Sequence, residues 1–72
     1  MDPYQELANA IVMQAVKDYR TYLLHSKKRP DNNGYQIEVA SLERFFRSGW
    51  FGELTTIPSE MLISRLKEEA KS

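Results

Sequence analysis

Apolar side chains recur every three or four residues through the first third of the chain: Tyr4, Leu7, Ala8, Ile11, Val12, Ala15, Val16, Tyr19, Tyr22 and Leu23. On a helix of 3.6 residues per turn that spacing makes one wide apolar face. Gln5, Glu6, Asn9, Lys17 and Arg20 mostly fall outside it. The pattern predicts a long first helix over residues 2–26. Asp2 is placed to cap it, Pro3 suits a first turn, and Gln5 stands three residues after Asp2, the spacing of a capping box.

The pattern breaks at Lys27-Lys28-Arg29-Pro30-Asp31-Asn32-Asn33-Gly34. Proline lacks the N–H that a helix interior needs, and Asp, Asn and Gly favour turns. The basic run before the break suits a helix C-terminus, where the peptide dipoles attract cations. Residues 35–48 predict a second helix, with Ile37, Ala40, Leu42, Phe45 and Phe46 as buried positions and Val39 beside them. Tyr35–Val39 also alternates like a strand, but no partner strand is evident, so helix is preferred. Ser48-Gly49 ends or kinks that helix. Trp50, Phe51 and Leu54 read as a short apolar turn interrupted by Gly52. Thr55–Pro58 opens a third helix, striped by Met61, Leu62, Ile63 and Leu66 and finished by the solvated Glu68, Glu69 and Lys71.

These elements predict an all-α, compact three-helix domain spanning residues 1–72. A chain of 72 residues has room for one small core, which rarely contributes more than about 3–5 kcal/mol. It has no cysteine and one histidine, His25, so neither disulfides nor a structural zinc reinforce it. A partner chain is the remaining reinforcement, and the long apolar face of helix 1 offers a seam for a homo-oligomer.

Ten basic and ten acidic residues give zero formal net charge, which argues against a general polyanion binder. No apolar run reaches the roughly 18–20 residues that span a bilayer, and neither a signal peptide nor a lipidation motif is evident. The expected location is cytoplasmic, without membrane contact.

The most distinctive stretch is Leu42-Glu43-Arg44-Phe45-Phe46-Arg47-Ser48-Gly49-Trp50-Phe51, where four of the chain's eight Phe, Trp and Tyr residues fall within seven positions. Arg44 and Arg47 are three apart and share a helix face. Guanidinium groups grip phosphates and carboxylates with a planar fork and stack on rings, so Arg44, Arg47 and Trp50 are candidate contacts for a nucleotide or an acidic peptide. Against this, Phe45, Phe46, Trp50 and Phe51 are what so short a chain has for a core, and Glu43, Glu60 and Asp18 are candidate partners for the arginines. The structural role carries the greater weight. Asp18, Tyr19 and Arg20 form a second candidate contact, with Gln14, Asp18 and Tyr22 spaced by four on one face. His25 is a surface residue at a helix end.

No serine sits in a nucleophile elbow, and Gly34, Gly49 and Gly52 form neither a dinucleotide fingerprint nor a P-loop. No cofactor is implied, and the chain reads as non-enzymatic. As a helix-turn-helix, the last helix offers DNA the acidic Glu60 and Glu68 beside Ser59, Ser64 and Arg65, after a connection longer than the usual tight turn. Nucleic-acid binding is therefore not favoured.

Ala10–Arg20, then Glu43–Phe51 with Leu54-Thr55, and later Leu62-Ile63 and Leu66, resemble a group of short, largely uncharacterised proteins of bacteriophages and mobile elements of Firmicutes. The resemblance covers nearly all of the chain outside residues 26–36, and its most specific parts are Gln14–Arg20 and Arg44–Ser48. Members often carry Asp before the last helix, where this chain has Ile57. The resemblance implies a phage-type origin in a bacterial host cell and carries over no catalytic residue.

Three functions follow as expectations. The first is a host-directed, anti-defence inhibitor that binds a host protein or sequesters a nucleotide signal. The second is a small DNA-binding or replication-associated accessory protein. The third is a structural subunit of a larger assembly. The first is preferred.

Overall fold

The computed structural model describes residues 2–71. They form α1 (Pro3–Lys28), α2 (Asn33–Phe46), α3 (Gly49–Leu54) and α4 (Ser59–Lys71), with no strand among them. The all-helical expectation holds. The count of three does not: residues read as an apolar turn form the six-residue α3. Ser48 explains why. Its hydroxyl accepts from Phe51 N–H at 3.2 Å and donates to Phe45 C=O at 2.7 Å, so one side chain closes α2 and caps α3.

The other starts are also set by short polar side chains. Asp2 Oδ1 accepts from Tyr4 N–H at 3.0 Å. The expected capping box is not made: Asp2 caps the amide of Tyr4 rather than that of Gln5, and the Gln5 side chain runs along the helix, its Nε2 donating to Asn9 Oδ1 at 3.1 Å. Asn32 Oδ1 accepts from Gly34 N–H at 2.9 Å, which starts α2 earlier than its apolar pattern does. A Cβ on Gly34 would come within 3.0 Å of that same oxygen, so the missing side chain leaves the cap its room. Arg29 N–H bonds to His25 C=O at 2.8 Å as α1 ends, and Pro30 follows.

At about 1.5 Å per residue, the 26 residues of α1 span nearly the full 43 Å of a molecule 20 Å across. It packs against each of the other three helices. Ala8, Val12, Ala15 and Tyr19 make its buried line. Against it lie Phe46 from α2, Phe51 and Leu54 from α3, and Ile63 and Leu66 from α4. The rings of Tyr19, Phe46 and Phe51 are almost fully buried and meet edge to face in sequence, with centroids 5.4 Å apart at both contacts. Burying a side chain of this size contributes about 1.5–3 kcal/mol, so these three rings dominate a thin core.

Some apolar residues expected inside lie outside. Ile37 is 63% exposed, and Ala40 is exposed as well. Phe46, with Leu42 and Val39 at helical spacing before it, sets the inward direction of α2. Ile37 is two residues from Val39 and is therefore turned away from the core. Met61 is 56% exposed for the same reason, two residues from the buried Ile63. On α3, nothing lies within 4 Å of where a Cβ on Gly49 or Gly52 would stand.

Candidate functional site

The candidate residues separate into those the fold consumes and those it leaves outside. Tyr19 is consumed. It is fully buried, and its hydroxyl donates to Glu43 Oε2 at 2.7 Å. Burial, then the Glu43 carboxylate, raise its pKa well above the ordinary value of 10.0. A buried tyrosine cannot line a ligand contact, so its place in the proposed recognition set falls away.

Glu43 joins three helices. Besides the Tyr19 bond from α1, it faces Lys67 Nζ of α4 at 3.5 Å and the Arg47 guanidinium at 3.6 Å. Arg47 in turn places Nε 2.6 Å from Glu60 Oε1 and Nη2 3.3 Å from Glu60 Oε2, a forked pair. That hydrogen bond is the chief reason Arg47 is pushed above its ordinary value and the Glu60 carboxyl held below its own. Arg47 is thus an interhelical tie, one of the pairings open to it in the sequence, and a ligand would have to compete with two carboxylates for it.

Arg20 is also paired. Its Nε lies 3.0 Å and its Nη2 3.4 Å from the two oxygens of Glu69. Together with Lys27 Nζ donating to Ala70 C=O at 3.1 Å, this clasps the end of α4 to α1. Asp18 is half-buried and accepts from Gln14 Nε2 at 2.9 Å, the i,i+4 pair that its spacing implied. His25 stacks on Tyr35, centroids 5.1 Å apart.

Two members of the aromatic–arginine segment remain outward. Arg44 is exposed and has no ion pair among the described residues. It stands two residues before the buried Phe46, on the side of α2 turned from the core. Trp50 is 54% exposed, its ring edge-on to Phe45 at 5.7 Å. Arg44 and Arg47 therefore do not converge on one anion: the first is open and the second is tied down.

One feature had no signal in the sequence beyond its apolar residues. Between α1 and α2 lies a shallow, open apolar depression lined by Ala10, Ile11, Ala15, Leu42 and Phe45, with the polar Gln14 and Asp18 also on it. It is visible only once the two helices are placed side by side.

No group of His, Cys, Asp and Glu among the described residues is placed to hold a metal ion. No helix there is long and apolar enough to cross a membrane. No protein-family model, curated protein or solved structure matches the chain.

Proposed function

We propose that this chain is a non-enzymatic binding protein that acts by engaging a second protein through the outer side of α2 and the start of α3. The observation that carries this reading is the exposure of Arg44 and Trp50. The fold buries or pairs the neighbours of these two side chains and leaves them in solvent. Trp and Arg are the residue types that contribute most to protein interfaces, and a half-exposed indole supported from behind by Phe45 is a preorganised anchor. Ile37 adds apolar surface on the side of α2 that Arg44 shares by helical spacing.

The resemblance to phage and mobile-element proteins supports a host protein as the partner, and hence a host-directed inhibitor of defence in the bacterial cytoplasm. Sequestration of a nucleotide is the weaker half of this reading, because Arg47 and Arg20 are already held by carboxylates. DNA binding is weaker still, since zero net charge gives no field for phosphates. The reading includes self-association through α1, which leaves the outer side of α2 open.

The test is affinity capture from a Firmicutes host lysate, with mass spectrometry of the protein and small-molecule fractions. Wild type is expected to retain one host protein that Arg44→Ala and Trp50→Ala both release while remaining folded. Identical captured sets from wild type and both variants would overturn the reading. A nucleotide in the small-molecule fraction, lost with Arg44→Ala, would replace the protein partner by a nucleotide.

A further inference from the structure

We infer that Asn33 is a site of spontaneous self-modification, its side-chain amide becoming a carboxylate through attack by the backbone nitrogen of Gly34, and that the Asn32 cap sets the rate. The inference is independent of the proposed binding surface, since Asn33 opens α2, whereas Arg44 and Trp50 lie near and beyond its other end.

The first argument is the residue pair. The chain has three asparagines, Asn9, Asn32 and Asn33, and only Asn33 precedes a glycine. The reaction closes a five-membered ring on the nitrogen of the next residue, and a side chain on that residue hinders it. Gly34 has none, and the cap requires this, because a Cβ there would come within 3.0 Å of Asn32 Oδ1. The residue that gives the α2 start its room also leaves Asn33 open to attack.

The second argument is position. Residues 27–34 are all exposed, and the only buried residue of α2 among those described is Phe46, at its far end. Little buried surface holds the first turn, which places it at the low-stability end of the fold. Asn9, by contrast, lies inside α1 and precedes Ala10.

The third argument is restraint. The Gly34 N–H must lose its proton to attack, and it is donated to Asn32 Oδ1 at 2.9 Å. Asn33 has the helical backbone of the first residue of α2, whereas the planar ring requires a ψ well outside helical values. The reaction therefore runs from turns that have opened, and its rate follows the population of the open form.

In the first step a bond forms between the Gly34 nitrogen and Asn33 Cγ, and the Cγ–Nδ2 bond breaks. Ammonia leaves, carrying the proton given up by Gly34 through solvent. Water then opens the cyclic imide and returns a proton to the nitrogen. Attack at Cγ gives aspartate with the normal main chain; attack at the main-chain carbonyl gives isoaspartate. The first turn of α2 has no acidic residue. Aspartate there suits the helix dipole and makes the formal net charge negative. Isoaspartate adds a methylene to the main chain at the helix start, so Tyr35, two residues on, loses its register with His25.

The test holds the full chain in mildly alkaline buffer and follows the tryptic peptide of residues 29–44 by mass spectrometry, with fragmentation that separates aspartate from isoaspartate. Wild type is expected to convert Asn33, more slowly than the same chain unfolded in urea, while Asn9 and Asn32 stay intact. Asn32→Ala should convert about fivefold faster, the extra opening expected from loss of an N-cap. Asn32→Asp, which still caps, should match wild type. A folded wild type whose Asn33 stays intact while the unfolded chain is consumed would overturn the site. Equal rates for wild type and Asn32→Ala, or an Asn32→Asp variant as fast as Asn32→Ala, would overturn the role of the cap.

Discussion

Tyr19 and Glu43 meet across the α1–α2 contact, the phenol donating a 2.7 Å hydrogen bond to the carboxylate from a position 24 residues away in the chain. The pair links the two longest helices at the point where Phe46 closes over the Tyr19 ring. Tyr19→Phe keeps the ring and removes the hydroxyl. The expected loss is about 1.5 kcal/mol, the lower end for hydrogen bonds to charged groups, because Lys67 and Arg47 still face Glu43. Urea denaturation should show a lower midpoint with an unchanged slope.

The burial of the Tyr19 phenol, and then its bond to Glu43, set an alkaline limit. Tyr19 has its pKa raised on folding, so the folded state holds the phenolic proton more tightly than the unfolded chain. Its contribution is complete below the unfolded value of 10.0 and is lost as pH rises beyond it. Wild type should lose stability more steeply than Tyr19→Phe as pH rises above about pH 10. Parallel curves for the two proteins would show that the phenol does not titrate with unfolding.

Arg47→Ala should give the opposite sign of pH dependence with a small amplitude. The Glu60 carboxyl is held below its ordinary 4.5 by the Arg47 hydrogen bond. That contribution is present above the ordinary value and fades as pH falls through the carboxylate range. Both side chains are solvent-exposed, so the difference between wild type and variant should shrink in high salt. Thermal melts at low and high ionic strength measure it.

Phe46→Ala and Trp50→Ala should separate core from surface. Phe46 is 1% exposed, and its truncation is expected to cost about 3–5 kcal/mol. That equals the stability expected of a domain this small, so the variant should be largely unfolded at 25 °C by circular dichroism. Trp50→Ala should keep native helicity while losing the captured partner.

Ser48→Ala should cost about 1 kcal/mol, as for other N-cap truncations. The loss is expected to appear first in α3, because Ser48 Oγ is the acceptor for Phe51 N–H. Replacement by Asp, which also caps, should restore most of it, as read by urea denaturation.

The long helix was legible because a three-and-four spacing sustained from Tyr4 to Leu23 has no other reading. The break at Pro30 was legible for the same kind of local reason. The apolar character of Ile37 suggests the core, but Phe46, the only buried residue of α2 among those described, fixes the phase of the helix and turns Ile37 outward. The helix at Gly49–Leu54 was hidden by two glycines, which disfavour helix locally and are overruled by the Ser48 cap and the burial of Phe51 and Leu54. The aromatic–arginine segment stood out in composition, but its division depended on tertiary partners. Glu60, thirteen residues beyond Arg47, takes that guanidinium, and Arg44 finds no equivalent. The α1–α2 depression is a property of two helices together, and no single stretch of sequence encodes it.

The bare glycine positions on α3 carry a consequence for local motion. A six-residue helix containing Gly49 and Gly52 has almost no helical tendency of its own. Its order is borrowed from the core through Phe51 and Leu54. The amide of Thr55, bonded to Phe51 C=O at 3.1 Å, therefore reports on that attachment: its hydrogen-exchange rate is a gauge of how often the aromatic cluster releases its smallest helix.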